Sequence, residues 1–579
     1  MKIIWKYLIK YKVLLFLNLI AVLLVCCGEL GIPFMIGKYI VDYTNNKLDP
    51  LYLLLILILF ACCGFIGNLI LNYCSSRVSS LLFRDLSGDI FKKFQTFSPT
   101  EVQQLGIASL LNRTTSCVYQ IMNFISVFYR TAVVSPIMLI ISVIAICYVA
   151  SFLILGILFI FPFLILVLII IIKKCYRLSQ EQQKKLDNLN VIIRENLIGI
   201  KSIRAFRQSN YETQRFAKIN KKYSLFSIKL FSFMVSIDPI FYFFLNLSIL
   251  INFGIGAIIL TNSHYRNLFP NFTIGQLLSC IDYQLHVLFS ILDFLLLFMM
   301  FPKTLVSIKR IEQLLSITPT IKNTISPLQP QIPFHKLSFE NVTFSYPNTS
   351  KPILTNINFT LNQGEVIAFV GATGAGKSTL IGLIPRFYDV NQGVIKINNI
   401  NIKEYDLSYL RKKISFISQK NVLFKGTIRS NLAFGKNDPQ KKQMLEALKL
   451  AQAQNIVQNK SHKLQDRVSE FGANFSGGQK QRLSMARGFI KKPDIYIFDD
   501  SFSALDYKTE YEIRKAFLEM KQKALVLIVA QRLTSVLTAD KIVVLNEGCI
   551  VAIGPHEELI KNCLLYQEIA KSQNLKVSL

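Results

Sequence analysis

The sequence predicts a multi-domain membrane protein. An all-α domain of six transmembrane helices with long intracellular extensions comes first, and an α/β P-loop domain follows. Three observations predict this. Apolar runs of spanning length cross residues 1–302. Lysine and arginine crowd into some of the intervening stretches and avoid others. A glycine-rich phosphate-binding pattern occupies 364–379. Composition agrees, with 52% hydrophobic and only 17% charged residues. A chain of 579 residues is also too long for one core.

A net charge of +30 would suit a nucleic-acid binder. Here the cations follow the loops between apolar runs, so no nucleic-acid partner is expected. The eleven cysteines form no CxxC pair and no Cys/His cluster at metal spacing. Cys26, Cys27, Cys62 and Cys63 lie in apolar runs and are expected to pack. No cleavable signal is expected, because the first apolar run is long and no small-residue cleavage site follows it.

Residues 1–12 carry Lys2, Lys6, Lys10 and Lys12 and no acid. They read as a cytoplasmic flank, with Trp5 and Tyr7 suited to the membrane interface. Spans are expected at about 13–36 and 51–73. The connection 37–50 sets Lys38 and Lys47 against Asp42 and Asp49, so it is placed outside. Thr131 to Ile172 contains no charged residue, enough for two spans near 127–149 and 152–172 at about 20 residues each. Their turn is expected near Val149–Phe152, and Lys173, Lys174 and Arg177 close the run. Across the polar stretch that runs to about Ile237 the cations from Lys184 to Lys229 far outnumber the acids Glu181, Asp187, Glu195 and Glu212, which marks a cytoplasmic stretch. Two more spans are expected at about 238–260 and 277–301. Six spans from a cytoplasmic N-terminus return the chain to the cytoplasm, with the plasma membrane as the expected location.

The polar stretches 74–126 and 173–237 are longer than ordinary loops and hold little Gly or Pro. They read as spanning helices continuing past the lipid and meeting in short transverse segments near Ser98–Gly106 and Ile198–Gln208. A linker is expected at 303–336, where Pro319, Pro327, Pro330 and Pro333 bar continued helix. The second domain is expected over 337–579.

Within that domain, Gly364–Val370 reads as a strand and Gly371–Thr379 as a turn into a helix. Gly371, Gly374 and Gly376 permit positive φ and bring backbone N–H groups close to an anion. The helix start offers its N–H groups to the same anion. Lys377 adds a cation for β- and γ-phosphates, and Ser378 a hydroxyl for Mg²⁺. Further on come Phe344–Pro347, Phe416–Lys420, Ser476-Gly477-Gly478-Gln479 ahead of a helix, Ile495–Asp499 as a buried strand ending in a carboxylate, Ser503–Asp506, and Val529–Leu533.

In this order the motifs resemble an ABC nucleotide-binding domain across 337–579. With the six spans, the whole chain resembles an ABC exporter half-transporter, and Glu195–Phe206 resembles the second intracellular loop of such exporters. The resemblance implies ATP and Mg²⁺ as cofactors. It implies that Tyr346 stacks on adenine and that Gly371, Thr373, Gly374, Ala375, Gly376, Lys377, Ser378 and Thr379 hold the phosphates. Ser378, Gln419 and Asp499 would serve Mg²⁺, the last through water. Ser476, Gly477, Gly478 and Gln479 would be the signature, which closes on the γ-phosphate held by the other subunit. Phe475 stands where leucine is usual. Glu470 would meet the transverse intracellular helices, and Ser503–Asp506 would cross the dimer interface.

The catalytic positions implied are Gln419, Asp500 and Gln531, and the last two depart from the family pattern. Asp500 stands where glutamate is usual, one methylene short of the reach a base needs to its water. Losing about 1.5 Å of reach lowers the rate on the order of 10²-fold. Gln531 replaces a histidine and cannot become a cation. Both departures fall in the composite site that uses this chain's own P-loop, beside an intact signature. The expectation is a chain with a slow ATP site that pairs with a different half-transporter, as in bacterial heterodimeric exporters of drugs, lipids or peptides. Three readings stay open beside it: an ATP-gated regulator or channel, an importer with the exporter fold, and a homodimeric exporter. Usage rich in Lys, Ile and Asn points to an AT-rich bacterium.

The substrate is expected to be a small amphipathic molecule taken up beside membrane lipid. Asp282 and Asp293 lie within about 20° of one helix face, and His286 falls near the same stripe. Glu29 adds a carboxylate in the first span. Intramembrane charges line wet cavities or find partners. These four therefore either line the substrate cavity, with Phe289 and Phe294 as apolar contacts, or pair with Arg130 or backbone groups or snorkel near a helix end.

Overall fold

The computed structural model describes residues 2–44, 50–269, 272–347, 349 and 351–573. Lys47 and Asp49 of the first connection lie outside the described residues, as does the chain from 574 onwards. Two compact units result: Met1–Gln95 with Ala108–Ile317, and Thr96–Ile107 with Thr318–Leu579.

The first unit is helical because lipid offers backbone groups no partner, so each apolar run satisfies its own. After α1 (Lys2–Leu8) come α2 (Lys12–Thr44), α3 (Pro50–Gln95) and the short α4 (Pro99–Leu105). A helical run over 107–150, here α5, contains π turns at Arg113–Cys117 and Phe128–Ala132. Then follow α6 (Ile154–Ile198), α7 (Ile200–Ala205), α8 (Ser209–Val235), α9 (Ile237–Thr261) and α10 (Ile274–Ser316). Among the described residues five helical stretches are long and apolar enough to cross a membrane. One of these, Ile107–Ile198, is broken at Ala150 and the 3-10 turn Ser151–Leu153, where the extracellular turn was expected.

The helices extend well past their apolar runs, α3 to Gln95 and α6 to Ile198. Tyr7 and Tyr11 donate to Asp89 and Asp85 of α3 at 2.6 and 2.7 Å. These bonds strap the N-terminal turn to α3. Helices α2 and α3 touch backbone to backbone: a Cβ on Gly28 would lie 2.5 Å from Gly64 Cα. Small residues permit this approach and the dispersion contact it brings.

The linker begins later than the sequence predicts. Helix α10 passes through Pro302 and ends at Ser316, so 303–316 is helix rather than linker. Pro302 removes one helical hydrogen bond. Beyond it Ile308, Ile311 and Leu314 bury one face and hold the helix together. The boundary drawn at 302 also does not separate the units cleanly, since 96–107 groups with the second unit.

That second unit contains two main sheets. One has the order β2-β1-β4-β5, from β1 (Lys336–Phe344), β2 (Leu354–Asn362), β4 (Gln392–Ile397) and β5 (Ile400–Asn401). The other has the order β12-β11-β3-β10-β9-β6. Its members are β3 (Val366–Val370), β6 (Ile414–Ile417), β9 (Ile495–Asp499), β10 (Leu525–Val529), β11 (Lys541–Asn546) and β12 (Cys549–Gly554). Strands β3, β9 and β10 are buried throughout, which is why they read as unbroken apolar runs. A small pair, β7 (Gly426–Thr427) and β8 (Arg467–Val468), completes the strands. Three helices matter below: α11 (Lys377–Gly382), α12 (Leu407–Lys412) and α13 (Gly477–Phe489).

In the membrane unit a buried polar chain joins three helices. Asn252 of α9 donates to Gln284 Oε1 of α10 at 2.5 Å, Gln284 donates to Ser248, and Ser248 donates to the Gly156 carbonyl of α6 at 3.4 Å. All three side chains are within 1% of full burial. Gln284→Ala leaves two buried polar groups without their partner, at about 1–3 kcal/mol for an orphaned group. A drop in thermal midpoint of the detergent-solubilised protein is the expected result, read by a thermal-shift assay. Gln284→Glu, which keeps the acceptor, should lose less.

Candidate functional site

The site is assembled where the parallel strands end. Val529 is in register with both Asp499 and Phe369, so β9, β10 and β3 terminate together. From β3 the chain turns through Gly371, Gly374 and Gly376, at φ of 147°, 90° and 93°. A Cβ on Gly371 would lie 2.1 Å from the Leu545 carbonyl oxygen, so that position excludes every side chain. Gly376 then caps α11 in the left-handed conformation. The loop can thus turn its N–H groups toward one point, as a phosphate cradle requires.

Lys377 is buried, and its Nζ donates to the Gly371 and Ala372 carbonyls at 2.8 Å. Burial lowers the pKa of its ammonium, while Asp500 and Asp499 oppose that shift. Ser378 Oγ donates to Asp499 Oδ1 at 2.7 Å. Burial raises the Asp499 carboxyl, the Ser378 bond opposes this, and neighbouring Asp500 adds to it. The site therefore offers hard oxygen donors in a buried, electron-rich corner, the ligand chemistry Mg²⁺ prefers. The residues fit a nucleotide phosphate with its Mg²⁺, which supplies positive charge where negative charge accumulates.

Tyr346, just past β1, is half-buried and shares a 3.1 Å hydrogen bond with Thr379 of α11. Phe344 and Tyr388 each stand edge-on to its ring at 5.1 Å. The ring's orientation is thus set by its hydroxyl and by two aromatic edges.

Asp500 adopts φ of 46°, and its N–H donates to Val529 O at 3.0 Å. One carboxylate oxygen, Oδ2, accepts from Gln419 Nε2 at 3.1 Å and from Gln531 Nε2 at 2.9 Å. Burial raises this carboxyl, and Gln419, Lys377 and Arg532 pull it back. The predicted site residues thus form two groups: Ser378 with Asp499, and Asp500 with Gln419 and Gln531. Gln419 makes its bond to Asp500.

The signature stretch starts α13. Ser476 accepts from Gln479 N at 3.3 Å, and its own N–H donates to Gln479 Oε1 at 3.1 Å, a reciprocal cap. Ser476 and Gly477 are exposed. Among the described residues no hydrogen bond joins this stretch to the P-loop. Gly478 runs close to 503–506, since a Cβ there would lie 3.0 Å from the Ala504 carbonyl. Gln481, almost fully buried, accepts from Ala504 N at 3.2 Å and fixes that loop to α13. Glu470 is exposed on a 3-10 turn, and Phe475 is buried as leucine would be.

In the membrane unit His286 Nδ1 lies 3.9 Å from Glu29 Oε2, bridging α10 to α2. Asp282 is half-buried one turn before His286. Asp293 accepts from Ser135 of α5 at 3.4 Å, and Arg130 bears on it electrostatically. The acidic stripe is therefore divided between two neighbours. Gln481 and Tyr388 had no signal in the sequence, since a buried glutamine and a loop tyrosine carry no spacing of their own.

Two family models match the chain. The ABC transporter transmembrane region matches 15–292, and the ABC transporter model matches 354–503. A curated relative, the uncharacterized ABC transporter ATP-binding protein YfiB of Bacillus subtilis, is 31% identical over 579 residues, with 98% of this chain and 97% of the relative covered. The chain belongs to the ABC transporter family. Another relative, an uncharacterized ABC transporter ATP-binding protein of Mycobacterium tuberculosis, is 32% identical over 513 residues and covers 87% of this chain and 86% of its own length. A third, from Staphylococcus aureus, is a putative multidrug export ATP-binding/permease protein, 31% identical over 517 residues with coverage of 87% and 86%. The structure of a bacterial Atm1-family ABC exporter with ATP bound shares the fold. Its TM-score is 0.81 at 21% identity, over 96% of this chain and 98% of that one.

This ABC transporter chain is thus a multi-pass membrane protein with one membrane domain fused to one C-terminal ATP-binding domain. ABC half-transporters work as dimers, so a second half is required. Lys377→Ala removes the cation from the cradle. With charge-assisted hydrogen bonds at about 1.5–3 kcal/mol, ATP affinity at this site should fall roughly ten- to hundredfold. Displacement of trinitrophenyl-ATP from the whole transporter, with the other site disabled, measures it.

Proposed function

We propose that the chain is one half of a heterodimeric exporter that uses ATP to move a small amphipathic molecule out across the plasma membrane. The observation that carries the proposal is the convergence of Gln419 and Gln531 on Asp500 Oδ2. A general base must reach its water and must hold a lone pair ready for the proton. Asp500 is a methylene shorter than glutamate, and one of its oxygens is engaged by two amides. Gln531 donates a hydrogen bond but never a positive charge to developing phosphate charge. ATP bound through Tyr346, Lys377 and Ser378 would therefore be hydrolysed slowly here. The intact Ser476–Gln479 stretch, with Ser476 and Gly477 exposed at the start of α13, would complete the fast site on the partner's P-loop. Closure around two nucleotides would move the intracellular helices and turn the cavity outward.

Export rather than import is supported by the likeness in fold to an exporter and by the export named for the Staphylococcus aureus relative. The proposed domain order is spans over about 13–301, a linker, then the cytoplasmic ATP-binding domain. The chain alone should show little ATPase activity, which should appear on adding the partner half. In the assembled transporter Ser476→Ala should lower turnover by about 10²-fold, the scale for losing a donor to developing charge. Asp500→Ala should change turnover by less than about threefold, because the other site carries the flux. Steady-state ATPase assays measure both. A robustly active homodimer, or the reverse order of severity, would exclude division of labour between the sites.

The substrate is proposed to be cationic. Glu29, Asp282 and Asp293 place three carboxylates in the membrane unit, half-buried and only lightly partnered. A lipophilic cation should stimulate ATPase activity more than a neutral analogue of similar size. Joint Asp282→Asn and Asp293→Asn substitution should abolish the preference and leave basal activity intact. A preference retained in the double variant would move the selectivity to the partner.

A further inference from the structure

Helix α4 lies in sequence between α3 and α5, yet it is held by the ATP-binding unit. The hold is built around Glu101, which is 4% exposed. Its Oε2 accepts from the Ser98 N–H at 2.6 Å and from the Ser98 hydroxyl. Its Oε1 accepts from the backbone N–H of Thr320 at 2.7 Å. The Ser98 and Thr320 hydroxyls share a further bond at 3.1 Å. Burial alone would push this carboxyl up, but the Ser98 and Thr320 donors hold it below its ordinary range. No lysine or arginine among the described residues makes an ion pair with it. A buried carboxylate satisfied entirely by directed N–H and O–H donors fixes a geometry, whereas an exposed ion pair would tolerate slack.

Thr320 is the third residue after the last turn residue of the α10 end, Ile317. The chain just beyond it is clipped in turn to α12. Asn323 donates to Asp406 Oδ2 at 2.8 Å and accepts from Leu407 N at 2.9 Å, while Asp406 caps α12 through Tyr409 N. Helix α12 carries Arg411, which donates to the carbonyls of Pro385 and Arg386 and lies over the Phe387 ring. The next residue, Tyr388, is the aromatic edge that sets Tyr346. A cavity of about 680 Å³ between α4 and this loop is lined by Phe97, Val102, Ile107, Phe387, Tyr388 and Arg411. Hydrogen bonds, ring contacts and short stretches of chain thus link the Tyr346 ring to Glu101.

We propose that Glu101 is a positioning residue for energy coupling: it clips α4 to the linker after α10, so that movement of the ATP-binding unit reaches α3 and α5 through α4. Without the clip, α4 keeps its covalent ends but loses the acceptor that Thr320 N and Ser98 N share. The ATP-binding unit would then close on nucleotide without moving α4.

Hydrogen exchange read by mass spectrometry tests this on the whole two-chain transporter in lipid nanodiscs, with and without ATP, Mg²⁺ and vanadate. The inference rests on nucleotide-driven transport, so the P-loop peptide 371–380 is followed in the same runs. In the wild type, nucleotide should slow exchange in 371–380 and alter it about tenfold in peptides 84–95 and 107–117. In Glu101→Ala the P-loop response should persist while the response of 84–95 and 107–117 falls below about twofold. Glu101→Gln, which keeps an acceptor for Thr320 N, should lie between. A full response of 84–95 and 107–117 in Glu101→Ala overturns the proposal. So does loss of the P-loop response in both variants, which would make Glu101 a folding residue. A wild-type P-loop that nucleotide fails to protect would break the transport reading instead.

Discussion

The register of three parallel strands is the constraint on which the ATP-binding site depends. Because Val529 pairs with Asp499 on one side and Phe369 on the other, the strands end at one level. The residues that leave them, Gly371, Asp500 and Gln531, therefore emerge side by side. Groups that bind at the carboxyl ends of such a sheet need no further device to bring them together. A slip of one residue would turn Asp499 to the other face and break its bond to Ser378. The unbroken burial of β3, β9 and β10 makes that slip costly.

A different constraint governs the membrane unit. Lipid gives polar groups no partner, so the few that occur must find one another. Ser248, Asn252 and Gln284 do so in a chain of hydrogen bonds that joins α6, α9 and α10, with Asn252 Oδ1 left over. Glu29, His286, Asp282 and Asp293 do so only in part. The first group is placed to hold helices together, and the second leaves its carboxylates only partly satisfied.

Much of this was legible in the sequence, and the residues explain why. Gly371, Gly376, Lys377 and Ser378 act within one short loop, so their spacing encodes their geometry. Asp499 was legible because a buried strand ending in a carboxylate is a local pattern. The substitutions at Asp500 and Gln531 were visible as departures, but their meeting with Gln419 on one oxygen depends on a parallel register between distant strands. The α10 boundary was misread because Pro319, Pro327, Pro330 and Pro333 drew attention to the linker, while the buried stripe of Ile308, Ile311 and Leu314 keeps the helix going to Ser316. Glu101 left only the Ser98-to-Glu101 spacing of a helix cap, which says nothing of Thr320, more than two hundred residues away.

The contact between Gly28 and Gly64 has a mechanical meaning. At the level of Gly28 and Gly64 the two helices meet as one thick beam, with no side chain between their backbones. A torque on α3 would therefore be shared with α2 at this level. It arrives on α2 beside the glycine contact, where the next residue is Glu29. A bulkier residue at Gly28 would pry the beam into two thin rods, and the same torque would be spent in bending them.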